Sequence, residues 1–168
     1  AQRATGFGAR IAVYDPFLPD GAEVPAAMRR EHDLAEAVSA ADIVSLHMPY
    51  TVQTANLVDA RLLSRFRPGS ILVNTGRGGI GDETALVEAL ESGSLGLYAT
   101  DVLSSEPPAA DDPLLRRDDV IFTPHSAAMT RQGAIRMAVD AAQNALDFID
   151  GTLPQRRVAF APPLQAVS

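Results

Sequence analysis

An arginine lies between glycines directly after the clearest strand-like segment of this 168-residue chain. Arg77 belongs to the run Asn74-Thr75-Gly76-Arg77-Gly78-Gly79, which follows the apolar residues Ile71 to Val73. Glycine lets a ligand approach the backbone closely, and the planar guanidinium group can bind a carboxylate through two parallel hydrogen bonds. The pattern predicts a carboxylate-binding arginine, with a surface ion pair as the alternative explanation.

An acid and a histidine follow the next two strand-like segments. Glu106 lies in the loop that contains Asp101, and His125 follows Thr123 and Pro124. If these segments are adjacent strands, the two side chains could touch, and a carboxylate beside an imidazole fixes the ring tautomer and raises its pKa. General acid–base chemistry on a hydroxyl or a carbonyl needs that pairing. A capping or core histidine is the alternative for His125.

Two further residues end earlier strand-like segments. Asp15 closes Ile11–Tyr14, and an acid at that place in a dinucleotide-binding fold accepts hydrogen bonds from the adenosine ribose hydroxyls. It would also repel a 2′-phosphate, which favours NAD over NADP; an ordinary Asp-Pro turn is the alternative. His47 follows Ile43–Leu46, and we favour a structural or adenine-side role over a chemical one.

All of these residues follow segments with the composition of buried strands. Apolar runs predict strands at Ile11–Tyr14, Ile43–Leu46, Ser70–Asn74, Leu97–Val102 and Val120–Phe122. Amphipathic segments predict helices at Leu34–Ala40 after the cap Asp33, at Ala60–Phe66, at Asp82–Glu91 and from about Thr130 to Asp150, before Gly151. Apolar strands alternating with helices indicate an α/β fold, a doubly wound parallel sheet that binds ligands at the carboxyl ends of its strands.

The composition excludes several other kinds of site. The chain has no cysteine, which excludes disulfides, thiolate catalysis and cysteine-bound zinc, and its three histidines are too scattered to predict a metal site. A formal net charge of −7 disfavours nonspecific binding to nucleic acid. No apolar run approaches the ~18–20 residues of a membrane span. We therefore expect a cytoplasmic protein without nucleic-acid or membrane partners.

Together these segments resemble one enzyme family. The resemblance is carried by Asn74-Thr75-Gly76-Arg77-Gly78, Asp101-Val102 with Glu106-Pro107, Thr123-Pro124-His125 and Leu46-His47-Met48-Pro49-Tyr50-Thr51, with Gly6-Phe7-Gly8 and Tyr14-Asp15-Pro16 in the expected order before them. On these motifs the chain resembles, to about Val158, the D-isomer-specific 2-hydroxyacid dehydrogenases. That family includes phosphoglycerate dehydrogenase, glycerate dehydrogenase, glyoxylate reductase and D-lactate dehydrogenase.

The resemblance implies roles for these residues. Arg77 would bind the carboxylate and carbonyl of a small 2-keto acid, and His125 would exchange a proton with the carbonyl or hydroxyl oxygen. Glu106 would orient His125 and raise its pKa, and Asp101 would hold the nicotinamide carboxamide of NAD. The implied cofactor contacts are Asp15, His47, Pro49, Thr54, Thr75, Gly76, Arg77, Asp101 and His125. The reaction would move a hydride between NAD(H) and a D-2-hydroxy or 2-keto acid, in a homodimer.

The front of the sequence departs from the family pattern. Dinucleotide-binding folds open with a strand and a G-x-G-x-x-G loop about 20 residues before the ribose-binding acid. Gly6-Phe7-Gly8 is too close to Asp15 to be that loop, and Ala1–Thr5 has the character of the end of the following helix. We therefore expect an N-terminally truncated NAD-binding domain at residues 1–153, without its first strand, and a tail at 154–168 leading toward a substrate domain.

The absence of that strand has structural consequences. In the strand order 3-2-1-4-5-6 the first strand is central, so we expect a break between the strand ending at Asp15 and the strand ending near Arg77. Two strands would have unpaired edges, and the pyrophosphate would lose the glycine loop that receives it. We expect the chain by itself to be inactive and to bind NAD poorly.

Other functions fit parts of the pattern. An NAD(H)-sensing transcriptional corepressor of the same fold keeps the same three residues, so the sequence leaves that function open. Formate dehydrogenase has Gln-Pro where this chain has Glu106-Pro107, and phosphite dehydrogenase lacks the pair, so both fit less well.

Overall fold

The computed structural model of the chain describes residues 2–19 and 21–158. The chain divides into two compact units, residues 1–125 and residues 126–168. Most of the expected tail at 154–168 lies outside the described residues, which end at 158. No helix among the described residues is long and apolar enough to cross a membrane.

The described part of the first unit contains six short strands, four α-helices and two 3-10 helices, Gly78–Ile80 and Leu114–Arg116. The strands are β1 Ile11–Tyr14, β2 Met28–Glu31, β3 Ile43–Leu46, β4 Ser70–Asn74, β5 Leu95–Thr100 and β6 Val120–Phe122. The helices are α1 Gln2–Thr5, α2 Leu34–Ser39, α3 Ala60–Leu63 and α4 Glu83–Glu91. Asp33, Asp59 and Asp82 begin α2, α3 and α4, because each carboxylate accepts hydrogen bonds from first-turn N–H groups.

All strand pairs are parallel, and the strands form two sheets. β1 pairs with β2, and the larger sheet has the order β3-β4-β5-β6. Leu46 is in register with Asn74, Asn74 with Thr100, and Thr100 with Phe122. The carboxyl ends of the four strands therefore lie along one edge. This confirms the predicted α/β fold with a parallel sheet.

The apolar pattern does not reveal β2, because three of its four residues, Arg29 to Glu31, are charged. The strand pairs in parallel with β1 along its whole length. The Arg30 guanidinium donates to the carbonyl oxygens of Leu18 and Pro19 at 2.6 and 2.8 Å, which ties β2 to the segment that follows β1. Backbone pairing and side-chain bonds to the backbone therefore hold this strand.

The break in the sheet is present, but its expected position is wrong. β3 pairs with β4, from Ile43 opposite Ile71 to Leu46 opposite Asn74. β4, which leads to Arg77, is consequently paired on both sides, and β3 is the terminal strand of the larger sheet. The expected position is wrong because the sequence pattern does not predict β2. With the absent strand counted as the first and β2 left out, β4 becomes the fourth strand of the order 3-2-1-4-5-6; with β2 included, the fourth strand is β3.

β5 begins and ends two residues earlier than its composition predicts. Gly96 allows the early start, because a Cβ there would lie 2.5 Å from the carbonyl oxygen of Gly69. Only glycine lets the two backbones approach so closely, and Leu95 consequently pairs opposite Ser70. Since the strand ends at Thr100, Asp101 belongs to the loop that follows it.

The core of the first unit lies around β4, β5 and α4. Leu72, Ile80, Leu86 and Tyr98 are each at most 1% exposed and belong to one buried apolar cluster. A fully buried apolar side chain of this size contributes about 1.5–3 kcal/mol. The core therefore holds the strands whose carboxyl ends carry the candidate site.

The second unit is described to residue 158 and consists mainly of one helix, α5 Arg131–Ile149. Its bounds agree with the predicted helix: the Thr130 hydroxyl accepts a hydrogen bond from the Gly133 N–H at 2.9 Å, and Gly151 follows the helix with a φ of 67°. A positive φ directly after a helix is the conformation that glycine adopts most readily.

Candidate active site

Three loops at the carboxyl edge of the larger sheet carry the residues that the sequence singles out. They are the β4 loop, residues 75–79, with Arg77; the β5 loop, residues 101–106, with Asp101 and Glu106; and the β6 loop, residues 123–125, with His125. The three strands are adjacent and parallel, so the three loops are neighbours.

The structure brings Glu106 and His125 into direct contact. The Nδ1 atom of His125 lies 2.7 Å from Oε2 of Glu106, and the other carboxylate oxygen, Oε1, accepts a hydrogen bond from the Leu103 N–H at 3.1 Å. These side chains are 51% and 37% exposed, so a ligand can reach them. The hydrogen bond from His125 first, and that from Leu103 second, hold the pKa of Glu106 below its ordinary value of 4.5. Glu106 is therefore an ionised carboxylate fixed at both oxygens.

The backbone of His125 adopts an uncommon conformation. Its φ is 51°, in the left-handed region, where histidine is found more often than most residues other than glycine. The His125 N–H donates to the carbonyl oxygens of Asp101 and Thr123, both at 2.9 Å. Strained backbone of this kind persists where surrounding bonds impose it, and it concentrates at functional sites.

Asp101 connects the β5 loop to the end of β4 and to the β6 loop. Its side chain is buried, with 3% of the residue exposed, and its Oδ1 accepts a hydrogen bond from the Thr123 hydroxyl at 2.5 Å. Its N–H donates to the carbonyl oxygen of Asn74 at 3.0 Å, and its own carbonyl oxygen accepts from His125. One residue of the β5 loop thus fixes both the end of β4 and the β6 loop.

Arg77 lies in a loop that Asn74 shapes. The Asn74 side chain is fully buried: its Nδ2 donates to the carbonyl oxygen of Arg77 at 2.9 Å, and its Oδ1 accepts from the Gly76 N–H at 3.0 Å. The Arg77 side chain is exposed and donates to the Gly76 carbonyl oxygen at 2.7 Å. Among the described residues no carboxylate forms an ion pair with Arg77, so its guanidinium can accept an anionic ligand.

The β4 and β5 loops meet at Gly78. A Cβ at this glycine would overlap the carbonyl group of Leu103 and the nitrogen of Ser104, so the Gly78 backbone packs directly on the Leu103–Ser104 peptide group. The Ser104 N–H in turn donates to Oε1 of Glu83, the first residue of α4, at 2.7 Å. The structure brings Arg77 and Glu106 onto two loops in backbone contact, although no hydrogen bond or ion pair joins their side chains within the described residues.

The other candidate residues lie in several places. Asp15 is exposed at the end of β1 and accepts a hydrogen bond from the Phe17 N–H at 2.9 Å, and His47 lies after β3 with Nε2 2.9 Å from the Ser45 hydroxyl. The Thr54 hydroxyl donates to the Pro49 carbonyl oxygen at 2.7 Å, which closes the loop after β3. The remaining two, in the β4 loop, are the exposed Thr75 and the half-buried Gly76, where a Cβ would lie 3.2 Å from the Met48 carbonyl oxygen.

Three residues that shape these loops are not singled out by the sequence pattern: Asn74, Glu83 and Thr123. Asn74 and Thr123 lie inside the recognised motifs, where their positions at strand ends could have marked them as loop-shaping residues. Glu83 carries no such signal, because an acid in the first turn of a helix is explained by the helix dipole alone.

Comparisons with known proteins show the family to which the chain is similar. Residues 1–127 match the sequence profile of the D-isomer specific 2-hydroxyacid dehydrogenase NAD binding domain. The chain is 36% identical to glyoxylate reductase of Korarchaeum cryptofilum over 168 residues, which covers 97% of this chain and 50% of that protein. It is 32% identical to D-3-phosphoglycerate dehydrogenase of Archaeoglobus fulgidus over 165 residues, covering 98% of this chain and 31% of that protein.

A solved structure shows the same fold with its cofactor. The NAD-dependent formate dehydrogenase from Staphylococcus aureus in complex with NAD superposes with a TM-score of 0.83 at 33% identity, covering 92% of this chain and 46% of that one. The chain therefore belongs to the D-isomer specific 2-hydroxyacid dehydrogenase family, and its Rossmann-like unit is NAD-binding-domain sequence of that family. It spans about a third to a half of the length of the relatives above.

The residues present suit the two ends of NAD. The exposed Asp15 carboxylate at the end of β1 has the chemistry to accept bonds from ribose hydroxyls. The Asp101 carboxylate, held in place by Thr123, can accept a bond from an amide. A G-x-G-x-x-G loop about 20 residues before Asp15, where it would receive the pyrophosphate, is not among these 168 residues. The run Gly76 to Gly81 has the same glycine spacing, but it follows β4 and carries Arg77. The two hydrogen-bond acceptors, Asp15 and Asp101, therefore have the chemistry that the ribose hydroxyls and the carboxamide of NAD require.

Proposed function

We propose that the natural-length protein is an NAD-dependent dehydrogenase that interconverts a D-2-hydroxy acid and its 2-keto acid. The observation that carries the proposal is the 2.7 Å contact between His125 Nδ1 and Glu106 Oε2, on loops that neighbour the β4 loop of Arg77. A histidine fixed by a carboxylate is a proton-transfer group, and an arginine without an acidic partner among the described residues is an anion-binding group. A 2-keto acid presents a carbonyl next to a carboxylate and needs both.

The geometry supports a role for each of the three residues. Arg77 binds the substrate carboxylate. Because Nδ1 of His125 faces Glu106, Nε2 is the ring nitrogen that donates a proton to the carbonyl oxygen during reduction and takes the hydroxyl proton during oxidation. Glu106 remains ionised because its pKa is lowered by His125 and by the Leu103 N–H, and its negative charge stabilises the protonated ring.

NAD, when bound, supplies the hydride chemistry, and the chain supplies binding and orientation. Asp15 accepts bonds from the ribose hydroxyls, and Asp101 accepts a bond from the carboxamide group. The proposed cofactor contacts also include His47, Pro49, Thr54, Thr75 and Gly76. Three of these residues follow β3 and two follow β4. The Gly76 backbone lies close to the Met48 carbonyl oxygen, so the two loops are side by side, which supports a shared role in cofactor binding.

Steady-state kinetics of the natural-length protein test this proposal. NADH oxidation is followed with glyoxylate, hydroxypyruvate, pyruvate and phosphohydroxypyruvate as candidate 2-keto acids. We expect His125→Ala to lower kcat by about 10²–10⁴, the usual effect of losing a general acid–base, with little change in NADH affinity. Arg77→Ala should chiefly raise KM for the keto acid. His32→Ala is the matched control, because His32 is exposed and lies beyond the end of β2 in the other sheet.

Near-normal turnover by His125→Ala would refute the proposed mechanism. A wild-type protein that binds NADH tightly and reduces none of these acids would instead favour the corepressor of the same fold. The homodimer, the cytoplasmic location and the domain bounds 1–153 and 154–168 stay predictions; sedimentation velocity of the natural-length protein tests the first.

A further inference from the structure

The Leu103–Ser104 peptide group, in the middle of the β5 loop, is held by two contacts. On one side the Gly78 backbone packs against it so closely that no side-chain carbon fits between them. On the other side Oε1 of Glu83 accepts the Ser104 N–H at 2.7 Å, a length typical of charge-assisted hydrogen bonds. This peptide group precedes Glu106 by two residues, so its position sets where the carboxylate can reach.

Glu83 is itself held on a rigid support. It is the first residue of α4, whose Ala85, Leu86, Ala89 and Leu90 are buried, and Asp82 caps the helix. Burial raises the pKa of the Tyr98 hydroxyl in β5, and the charge of Glu83 adds to that effect, which agrees with a carboxylate directed toward the sheet. The helix therefore presents the Glu83 carboxylate at a fixed place beside the β5 loop.

A continuous series of contacts leads from this helix to the histidine. Glu83 accepts from the Ser104 N–H; the Leu103 N–H, one residue earlier, donates to Oε1 of Glu106; and Oε2 of Glu106 meets Nδ1 of His125. No other described side chain accepts a hydrogen bond from the N–H groups of Leu103 or Ser104. Loss of the Glu83 bond would free the Leu103–Ser104 peptide group. The neighbouring Leu103 N–H, which orients the Glu106 carboxylate, would then be free to shift as well.

We propose that Glu83 is a positioning residue of the reaction: by accepting the Ser104 N–H it orients the Glu106 carboxylate toward His125. The inference rests on the proposed function, because it assigns Glu83 a task in the acid–base step. It differs from the simpler view that Glu83 only stabilises the N-terminus of α4 through the helix dipole.

Three substitutions separate these two views. Glu83→Gln keeps an acceptor oxygen at the same reach and removes the charge. Glu83→Asp keeps the charge at the helix N-terminus and shortens the side chain by one methylene, so the carboxylate no longer reaches Ser104. Glu83→Ala removes both. Glu88→Ala is the matched control, because Glu88 is an exposed acid on the same helix.

In the natural-length protein we expect Glu83→Ala and Glu83→Asp to lower kcat by about tenfold to a hundredfold, since displacements near 1 Å in an active site cost up to about 10²-fold. The alkaline limb of the pH profile for reduction should also move to lower pH, because a displaced Glu106 stabilises the protonated ring less. Glu83→Gln should recover most of kcat and leave that limb in place, and Glu88→Ala should match the wild type.

The opposite ranking, in which Glu83→Asp keeps kcat and Glu83→Gln loses it, overturns the proposal in favour of the helix-dipole role. An unmoved alkaline limb in Glu83→Asp overturns it as well. NMR titration of the labelled His125 ring gives the same ranking without turnover, through a lower pH midpoint in Glu83→Asp than in Glu83→Gln. If the wild type reduces no 2-keto acid, the proposed function fails while this titration still decides whether Glu83 positions the pair.

Discussion

Gly78 is the position where one added carbon should disturb both parts of the candidate site. A Cβ there would overlap the Leu103 carbonyl and the Ser104 nitrogen, all of them backbone atoms that cannot rotate away. Ordinary van der Waals contact of a Cβ begins at 3.4 Å, so the β4 and β5 loops must separate by about 1 Å or more in Gly78→Ala. That movement displaces Arg77 on one loop and Glu106 on the other.

The expected effect on catalysis follows from this displacement. A 1 Å misplacement of reacting groups costs about 10²-fold in rate, which corresponds to about 2.7 kcal/mol of transition-state stabilisation at 1.36 kcal/mol per factor of ten. Overpacking of this kind also costs about 1–3 kcal/mol of stability, less than the about 5–15 kcal/mol that a folded domain has. Gly78→Ala should therefore remain folded and lose about 10²-fold in kcat/KM.

Gly76→Ala is the matched comparison in the same loop. Its nearest contact would be 3.2 Å, to the Met48 carbonyl oxygen, so a shift of a few tenths of an ångström accommodates it. We expect a loss of less than about tenfold, by proportion to the smaller movement. The assay is kcat/KM for 2-keto acid reduction in the natural-length protein, with urea unfolding of each variant. Equal kcat/KM values for Gly78→Ala and the wild type would refute the view that the two loops act as one unit.

Three further predictions concern two acids, Glu106 and Asp15. Glu106→Gln should lower kcat less than His125→Ala does, and it should move the alkaline limb of the reduction profile to lower pH, because the protonated ring loses its carboxylate partner. Since the pKa of Glu106 is lowered in the folded protein, the stability that its ionised form contributes is present above pH 4.5 and lost as the pH falls through the lowered pKa. Urea unfolding of the wild type and Glu106→Gln from pH 7 to pH 3 should show their difference shrink over that range; a constant difference contradicts the assignment. Asp15 should make the natural-length protein prefer NAD to NADP in kcat/KM, and Asp15→Ser should narrow the preference. A wild-type preference for NADP would exclude the proposed role of Asp15.

The sequence predicts the strands of this fold where a short apolar run forms them. β1, β3, β4 and β6 have the predicted bounds because each is a short apolar run. β2 escapes prediction because its charged residues are held by pairing with β1 and by bonds from Arg30 to backbone oxygens, both of which depend on residues distant in sequence. The sequence predicts the break in the sheet at the wrong position only because it does not predict β2.

The candidate site is likewise predicted from the sequence only in part. The contact between Glu106 and His125 is predictable, because two adjacent parallel strands bring their following loops together. The support of that contact is not, since Glu83 reaches Ser104 across 21 residues and Gly78 meets Leu103 through the backbone alone. Residue types reveal which side chains can exchange protons, whereas loop-to-loop backbone contacts leave no trace in a single sequence except a glycine.

The two acids of the β5 loop show how burial separates support from chemistry. Asp101 is 3% exposed, and its side chain, N–H and carbonyl oxygen bond to Thr123, Asn74 and His125. The Glu106 side chain is 37% exposed and meets only a histidine ring and one backbone N–H among the described residues. If the two environments were exchanged, the carboxylate that stabilises the protonated His125 ring would be buried, and the carboxylate that fixes the loops would be exposed. Along the loop, the buried acid comes first, next to the strand end, and the exposed acid follows five residues later. This order lets one short segment hold the sheet edge together and also pair with a proton-transferring histidine.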